Sequence, residues 1–302
     1  MQELFEEQET LVSEEEWNRR LAALREKRDE SIEFSQAFTH AVLERCPEGR
    51  VGVLFSGGLD STLIAFLLRR HGTPLLGITV GFQDEGTKEP EDILEAKKAA
   101  KLLGCKYRTV LLDKEGAHKL FARTAKMLGP ALANPVTVGV GAVELAGLLK
   151  ARQLRLKTCF SGLGSEELFA GYDRHEKANS SPEALHEECW RGLGAMHARD
   201  LMRTEAIARE TSRTVATPFL DPRVIVAAMQ IPAGGKILTT PEETIKKYAL
   251  RIIAEELGLP HDFAFRPKRA AQYGSRLDAA MEKLARIHGF SSKTEYVKSF
   301  FR

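Results

Sequence analysis

The 302-residue sequence contains no uninterrupted apolar run long enough to cross a bilayer, which argues against a membrane-spanning helix and for a soluble protein. Cysteine is scarce. Cys46, Cys105, Cys159 and Cys189 lie far apart, with no C-x-x-C and no histidine pair at zinc-finger spacing, so they read as reduced thiols rather than a disulfide framework or a zinc module. Nor is there an excess of either charge: 44 Lys+Arg against 42 Asp+Glu leave +2, and such a balance does not point to nucleic-acid binding. The opening residues, Met1-Gln-Glu-Leu-Phe-Glu-Glu7, lack the basic and apolar regions of a signal peptide, which places the protein in the cytoplasm. Internal repeats and low-complexity segments are absent as well.

The charge that is present is unevenly spread. Residues 1–50 hold 13 acidic and 7 basic side chains, net −6, so the remaining 252 residues carry +8. A basic body suits an anionic substrate such as ATP, and it equally fits a scatter of solvated lysines. Residues 1–48 read as a helical extension. Ser13 and Glu16 fit a capping box, and Trp17, Leu21 and Leu24 recur on one helical face, a stripe that would cover this chain's own core or that of a twin in a homodimer. From residue 49 the pattern becomes strand and helix in alternation: strands at Val51–Phe55, Pro74–Val80, Tyr107–Leu112 and Arg155–Phe160, with helices at Leu63–Leu68 and about Glu91–Leu103, the latter stopped by Gly104. Residues 114–150 are mainly helical, interrupted near Gly129-Pro130 and Asn134-Pro135, and the chain past Gly171 reads mostly as helix with breaks at Pro182, Pro218, Pro222, Pro232 and Pro241. The alternation predicts an α/β fold with a doubly wound parallel sheet, a helical C-terminal part, and two domains at 1–48 and 49–302.

Two strands end in glycine-bearing loops, and in such a sheet ligands bind beyond the carboxyl ends of strands where the strand order reverses. The first loop is Ser56-Gly57-Gly58-Leu59-Asp60-Ser61-Thr62. Its glycines let the backbone approach a phosphate, the following helix offers N–H groups and a positive dipole end, and the Ser56 and Ser61 hydroxyls add donors. Asp60 is placed to hold a magnesium ion on the phosphates. The lysine of a Walker A loop is missing.

The string SGGLDS resembles the loop of the ATP-pyrophosphatase superfamily, which cleaves ATP between the α- and β-phosphates. Ser161-Gly-Leu-Gly-Ser-Glu-Glu-Leu-Phe-Ala-Gly-Tyr172 is similar to the S-G-E-G-S-D-E-L-F-G-G-Y signature of the asparagine synthetase synthetase domain. Thr217-Pro-Phe-Leu-Asp221 resembles that family's V-P-F-L-D element, Lys247-Tyr-Ala-Leu-Arg251 its K-x-x-L-R helix, and Arg266-Pro-Lys268, followed by Gln272 and Gly274, its R-x-K loop. The resemblance covers roughly residues 50–280. It is greatest to short synthetase-domain proteins without a glutaminase domain.

The resemblance implies an adenine-nucleotide alpha-hydrolase-like fold and an ATP-dependent, AMP- and pyrophosphate-forming amide ligase. A small carboxylic acid, aspartate by default, would be adenylated and passed to ammonia or an amine, with ATP and Mg2+ as cofactors. Asp60 and Glu166 would be the metal pair, and Lys247 and Lys268, with Arg266, the cations meeting charge on the departing pyrophosphate. Leu54, Val80, Ser161 and Gly162 would line the adenine, beside Ser56, Gly57, Gly58 and Ser61 at the phosphates; for Leu54 and Val80 core packing is an equal reading. Asp92 matches an acidic position of the family and also fits a plain helix N-terminal acid.

Three positions depart from the family pattern. Leu163 replaces a glutamate that could orient substrate or handle a proton. Glu166 replaces an aspartate and is one methylene longer, which still permits metal binding. Gln2 stands where full-length synthetases carry the nucleophilic cysteine, so the nitrogen would come from ammonia or a separate glutaminase. Two alternative readings remain: a nucleotide-binding scaffold that has lost amidation, favoured by Leu163, and a tRNA-modifying ATP-pyrophosphatase, for which Cys159 is the cysteine beside the inferred crevice.

Overall fold

The computed structural model describes residues 6–7, 10–27, 29, 31–266 and 271–302. The chain forms two compact units, each assembled from separated stretches of sequence. One contains residues 47–160, 202–215 and 267–302; the other contains 1–46, 161–201 and 216–266.

The first unit is built on strands β1 (Val51–Leu54), β2 (Leu75–Phe82), β3 (Lys106–Leu112), β4 (Thr158–Phe160) and β5 (Thr214–Ala216), in the spatial order β3-β2-β1-β4-β5. β1 runs parallel to both β2 and β4, and β2 parallel to β3. The order turns back between β1 and β4, so the chain leaves these two neighbours at the same end of the sheet. This is the switch point of a doubly wound fold, where ligands bind. Every residue of β2 is buried, as a strand covered on both faces requires. Leu76, Ile78, Val80 and Phe82 join the core formed with helices Lys114–Leu132 and Pro135–Gln153. The opposite face carries Gly77, Thr79 and Gly81, and a Cβ on Gly81 would stand 2.6 Å from Ile93 of helix Glu91–Leu103.

Local chemistry sets most boundaries. Gly104 closes its helix with φ 57°, Asn134 caps helix Pro135–Gln153 by accepting from the Val136 and Thr137 N–H groups, and Gly129 (φ 73°) with Pro130 kinks the helix before it. The expected strand at Arg155–Phe160 shortens to Thr158–Phe160, because Arg155 is in the left-handed region at φ 58°. Pro182 and Pro222 start helices rather than break them, each at the first position behind a capping Ser181 or Asp221.

In the second unit, helix Glu14–Arg25 is capped by Ser13, which accepts the Glu16 N–H at 3.2 Å. Its apolar stripe is buried within the unit, and Trp17 Nε1 donates to the Leu193 carbonyl at 3.0 Å. The stripe therefore covers this chain's own core. Phe38 of helix Phe34–Glu44 meets Phe219 at 4.3 Å between ring centroids, and Phe34 meets Phe169 edge-on at 4.9 Å. Where helix was expected past Gly171, a short antiparallel hairpin intervenes, β6 (Ile237–Thr239) with β7 (Thr244–Lys246).

Candidate functional site

In the first unit, β1 delivers the Ser56 loop. The Phe55 N–H donates to the Ile78 carbonyl at 2.8 Å, and the Phe55 carbonyl accepts from Thr79 Oγ1 at 2.6 Å, so β2 fixes the chain at the point where it leaves the sheet. Gly77 is needed there, since its Cβ would lie 2.8 Å from the Phe55 ring. Gly57 has φ 69°, and a Cβ on it would strike the backbone of Glu95 and Ala96. The Gly58 N–H donates to Ser56 Oγ at 3.2 Å, and Ser61 Oγ donates to the Gly58 carbonyl at 3.3 Å. No side chain caps helix Leu59–Arg70, and Asp60 stands half-buried in its first turn. The result is a turn held by its own hydroxyls at a helix N-terminus, where the dipole favours an anion.

Leu54 is half-buried against Gly147, whose Cβ would come within 2.7 Å of it, and Val80 lies in the core. Asp92 is buried in the first turn of its helix, and its carboxylate closes on Gly274 so tightly that a Cβ there would collide with Oδ1. Gln272 is buried too.

The second unit builds the other loop. The Ser161 N–H donates to the Ala216 carbonyl at 2.9 Å, the Leu163 N–H to Ser161 Oγ at 3.3 Å, and the Ser165 N–H to the carbonyl of half-exposed Gly162 at 3.3 Å. Gly164, at φ 97°, starts the turn Ser165–Leu168, and a Cβ on it would stand 2.6 Å from Leu220. Behind the turn lies the fully buried Lys247. Its Nζ donates to Ser165 Oγ at 2.8 Å and forms an ion pair with Glu166. Gly171 completes the arrangement: a Cβ there would collide with Glu166 Oε2 and stand 2.6 Å from Lys247 Cε. Lys247 has φ 57° at the cap of helix Tyr248–Glu256, a costly conformation for a residue with a Cβ, and the Tyr248 N–H is anchored on the Lys236 carbonyl at 2.8 Å.

The other motif residues of this unit support that lysine. Arg251 Nε donates to the Lys246 carbonyl at 2.8 Å, and its Nη1 to the carbonyls of Ala264 and Arg266 at 2.7 and 2.9 Å, tying the half-buried Arg266 to the Lys247 turn. Phe219 and Leu220 are core. Burial pushes the Asp221 carboxyl up, but Arg223 and Arg45, at 2.9 and 3.0 Å, outweigh it and hold the group below its ordinary value. Glu167, next to Glu166, is also buried. Desolvation raises it to about 7, with Asp200 acting in the same direction, while Arg199 at 2.8 Å and Arg174 oppose the rise.

The structure thus brings Lys247, Glu166 and Ser165 together in one unit, and Ser56, Gly57, Gly58, Asp60 and Ser61 together in the other. Lys268 lies outside the described residues. Sequence reasoning gave no role to Ser165, Gly171 or Arg251. All three sit inside the quoted motifs, and what singles them out is the geometry around Lys247. Among the described residues no group of three or more His, Cys, Asp or Glu side chains is placed to hold a metal ion. Magnesium on a triphosphate needs only one or two carboxylates with phosphate and water oxygens, and Asp60 and Glu166 each offer a carboxylate of that kind in their own unit.

Comparison with known proteins agrees with these motifs. The profile of the family described as asparagine synthase matches residues 33–184 and 177–298. A Methanocaldococcus jannaschii protein with the provisional name asparagine synthetase [glutamine-hydrolyzing] 1 is 29% identical over 88% of this chain and 53% of its own length. The human asparagine synthetase [glutamine-hydrolyzing] is 30% identical over 78% of this chain and 42% of its own. The chain therefore spans about half the length of the curated relatives it matches. Among solved structures, NMN synthetase from Francisella tularensis covers 96% of the chain at 13% identity with a TM-score of 0.40.

Proposed function

Because the chain belongs to the asparagine synthase family, we propose that it is an ATP-dependent amide ligase, forming AMP and pyrophosphate, that adenylates a small carboxylic acid and passes the acyl group to ammonia or an amine. Aspartate is the default acid. The observation that carries the reading is the buried Lys247, with a left-handed backbone and its amine on Ser165 and Glu166, in a space that a glycine at 171 leaves open. A cation so costly to bury is placed to meet a concentrated negative charge.

On this reading the acid's carboxylate oxygen attacks the α-phosphorus, and the bond to the bridging oxygen of the leaving pyrophosphate breaks. Ser56, Ser61 and the N-terminus of helix Leu59–Arg70 bind phosphate oxygens. Lys247, joined by Lys268 and Arg266, stabilises the charge that grows on the pyrophosphate. Bound Mg2+ would neutralise phosphate charge, with Asp60 and Glu166 as its protein ligands. Glu166 would hold the metal through its carboxylate, and Lys247, resting on Ser165, meets the phosphate charge. Leu163 gives the second loop an apolar side chain where the family has a carboxylate, so the attacking amine arrives as the free base rather than being deprotonated by that position.

The test is pyrophosphate release with ATP, Mg2+ and a panel of amino acids and simple carboxylic acids, with hydroxylamine added to trap the acyl-adenylate as a hydroxamate. An acid-dependent signal in both assays is expected, with Asp60→Asn lowering it by about 10²-fold or more. ATP binding without either signal across the panel would favour the scaffold reading that Leu163 also suits.

A further inference from the structure

The sheet of the first unit ends at β3, and among the described residues no strand pairs with its outer edge. An uncovered edge of seven residues offers a row of backbone donors and acceptors to another extended chain. Beside it runs a groove of about 470 Å³ between β3 and helices Lys114–Leu132 and Pro135–Gln153. Its floor is apolar, formed by Val110, Leu112, Leu120, Ala146 and Leu149. Its charged lining is of one sign: Lys119, Arg123 and Lys150, with no acidic side chain. The register with β2 adds to this. Lys106 and Arg108 lie opposite Leu76 and Ile78, which face these same helices, so both exposed cations stand on the groove side. Lys119 and Arg123 pair with Glu115 and Glu210, both in exposed ion pairs of the kind an incoming carboxylate displaces at little cost.

We propose that this edge is a docking site for an extended acidic segment of a partner protein, which adds as a strand beside β3, places apolar side chains on the Val110–Leu149 floor and sets carboxylates against Arg108, Lys119, Arg123 and Lys150. Main-chain hydrogen bonds would supply affinity, and the order of carboxylate and apolar side chains along the groove-facing positions specificity. Lys106 and Arg108 on the strand itself disfavour pairing with a second copy, since two such strands side by side would bring like charges together.

The probe is a fluorescein-labelled peptide of the length of β3 whose groove-facing positions, every second residue, alternate glutamate and valine with threonine between them, followed by fluorescence anisotropy on the full chain. The acidic peptide is expected to bind, with affinity falling as salt is raised, whereas its lysine–valine counterpart does not. N-methylation of the peptide nitrogens that face β3 should weaken binding by about tenfold or more, as should the paired substitutions Arg108→Glu and Lys150→Glu. Lys298→Glu with Arg302→Glu, a charge change elsewhere, should leave it unchanged. No binding by about 1 mM peptide overturns the proposal. Equal binding of the N-methylated peptide, or of a single-stranded oligonucleotide of matched charge, also overturns it, since charge alone would then suffice. Self-association of the chain that Arg108→Glu abolishes would make the occupant a second copy, and likewise overturns it.

Discussion

Gly171 shows how a missing atom can matter more than one that is present. Its lack of a side chain lets the Glu166 carboxylate and the Lys247 stem share one buried space, and a methyl group would displace either the pair or the turn. Gly171→Ala is expected to lower pyrophosphate release by about 10²-fold or more with only a modest fall in melting temperature, because a shift of an ångström at a positioned charge costs far more in rate than in stability. A variant with unchanged turnover would separate this pair from the chemistry. Gly57→Ala should behave differently. The new Cβ meets the backbone of Glu95 and Ala96 at a residue with positive φ, and backbone has no rotamer in which to move away. Here a loss of stability of roughly 2–3 kcal/mol, read by urea unfolding, is expected along with the loss of nucleotide binding.

At the scale of elements, two buried charges make stability rise with pH, each in its own window. Asp221 joins Arg223, at the start of its own helix, to Arg45, just past the end of helix Phe34–Glu44. Its pKa is depressed below the ordinary 3.8, so its contribution is present above that value and is lost as pH falls further toward the native pKa. Asp221→Asn leaves two arginines facing a neutral group, and a loss of about 2–4 kcal/mol at pH 7, with a flatter acid limb, is expected in urea titrations. Lys236 precedes β6 with its amine wholly buried, and the contact made by that amine is with Met229 Sδ at 3.6 Å. Burial pushes its pKa down to about 8. The native state therefore sheds a proton that the unfolded chain retains up to about 10.5, and stability rises with pH across that window. Lys236→Met should abolish this rise and stabilise the protein at pH 7 by roughly 1–3 kcal/mol. A lower melting temperature for that variant would show that the ammonium has a partner worth more than its burial costs.

For the molecule as a whole, neither unit is a contiguous stretch of chain, so the last residues serve the same core as β1 and β2. Tyr296 and Val297 are buried in that core, and Tyr296 shares a hydrogen bond of 2.7 Å with His118 of helix Lys114–Leu132. Truncation after Phe290 is expected to cost roughly 3–5 kcal/mol, seen as a lower urea midpoint, and to remove any stabilisation by ATP.

What could be read from the sequence follows from the range of the forces involved. β1, β2, β3 and the helix ended by Gly104 were legible because apolar period, glycine and proline act within a few residues. The Ser56 and Ser161 loops were legible because their chemistry is written contiguously. Thr214–Ala216 and the β6–β7 hairpin were not, since three-residue strands carry no period of their own and form only where a neighbouring backbone offers hydrogen bonds. The shortening of β4 was missed because the left-handed turn at Arg155 carries no glycine to mark it.

By itself the sequence determined the family, the alternation of strand and helix, and the two loops at strand ends, all properties of residues adjacent in the chain. Only the tertiary structure decided that β1 and β4 are neighbours, that Trp17 is buried in its own chain, and that Lys247 rests on Ser165 and Glu166 in the space Gly171 leaves. Those facts join residues up to 176 positions apart, and such contacts are fixed by which surfaces can pack together and which buried charges find partners, not by any local preference.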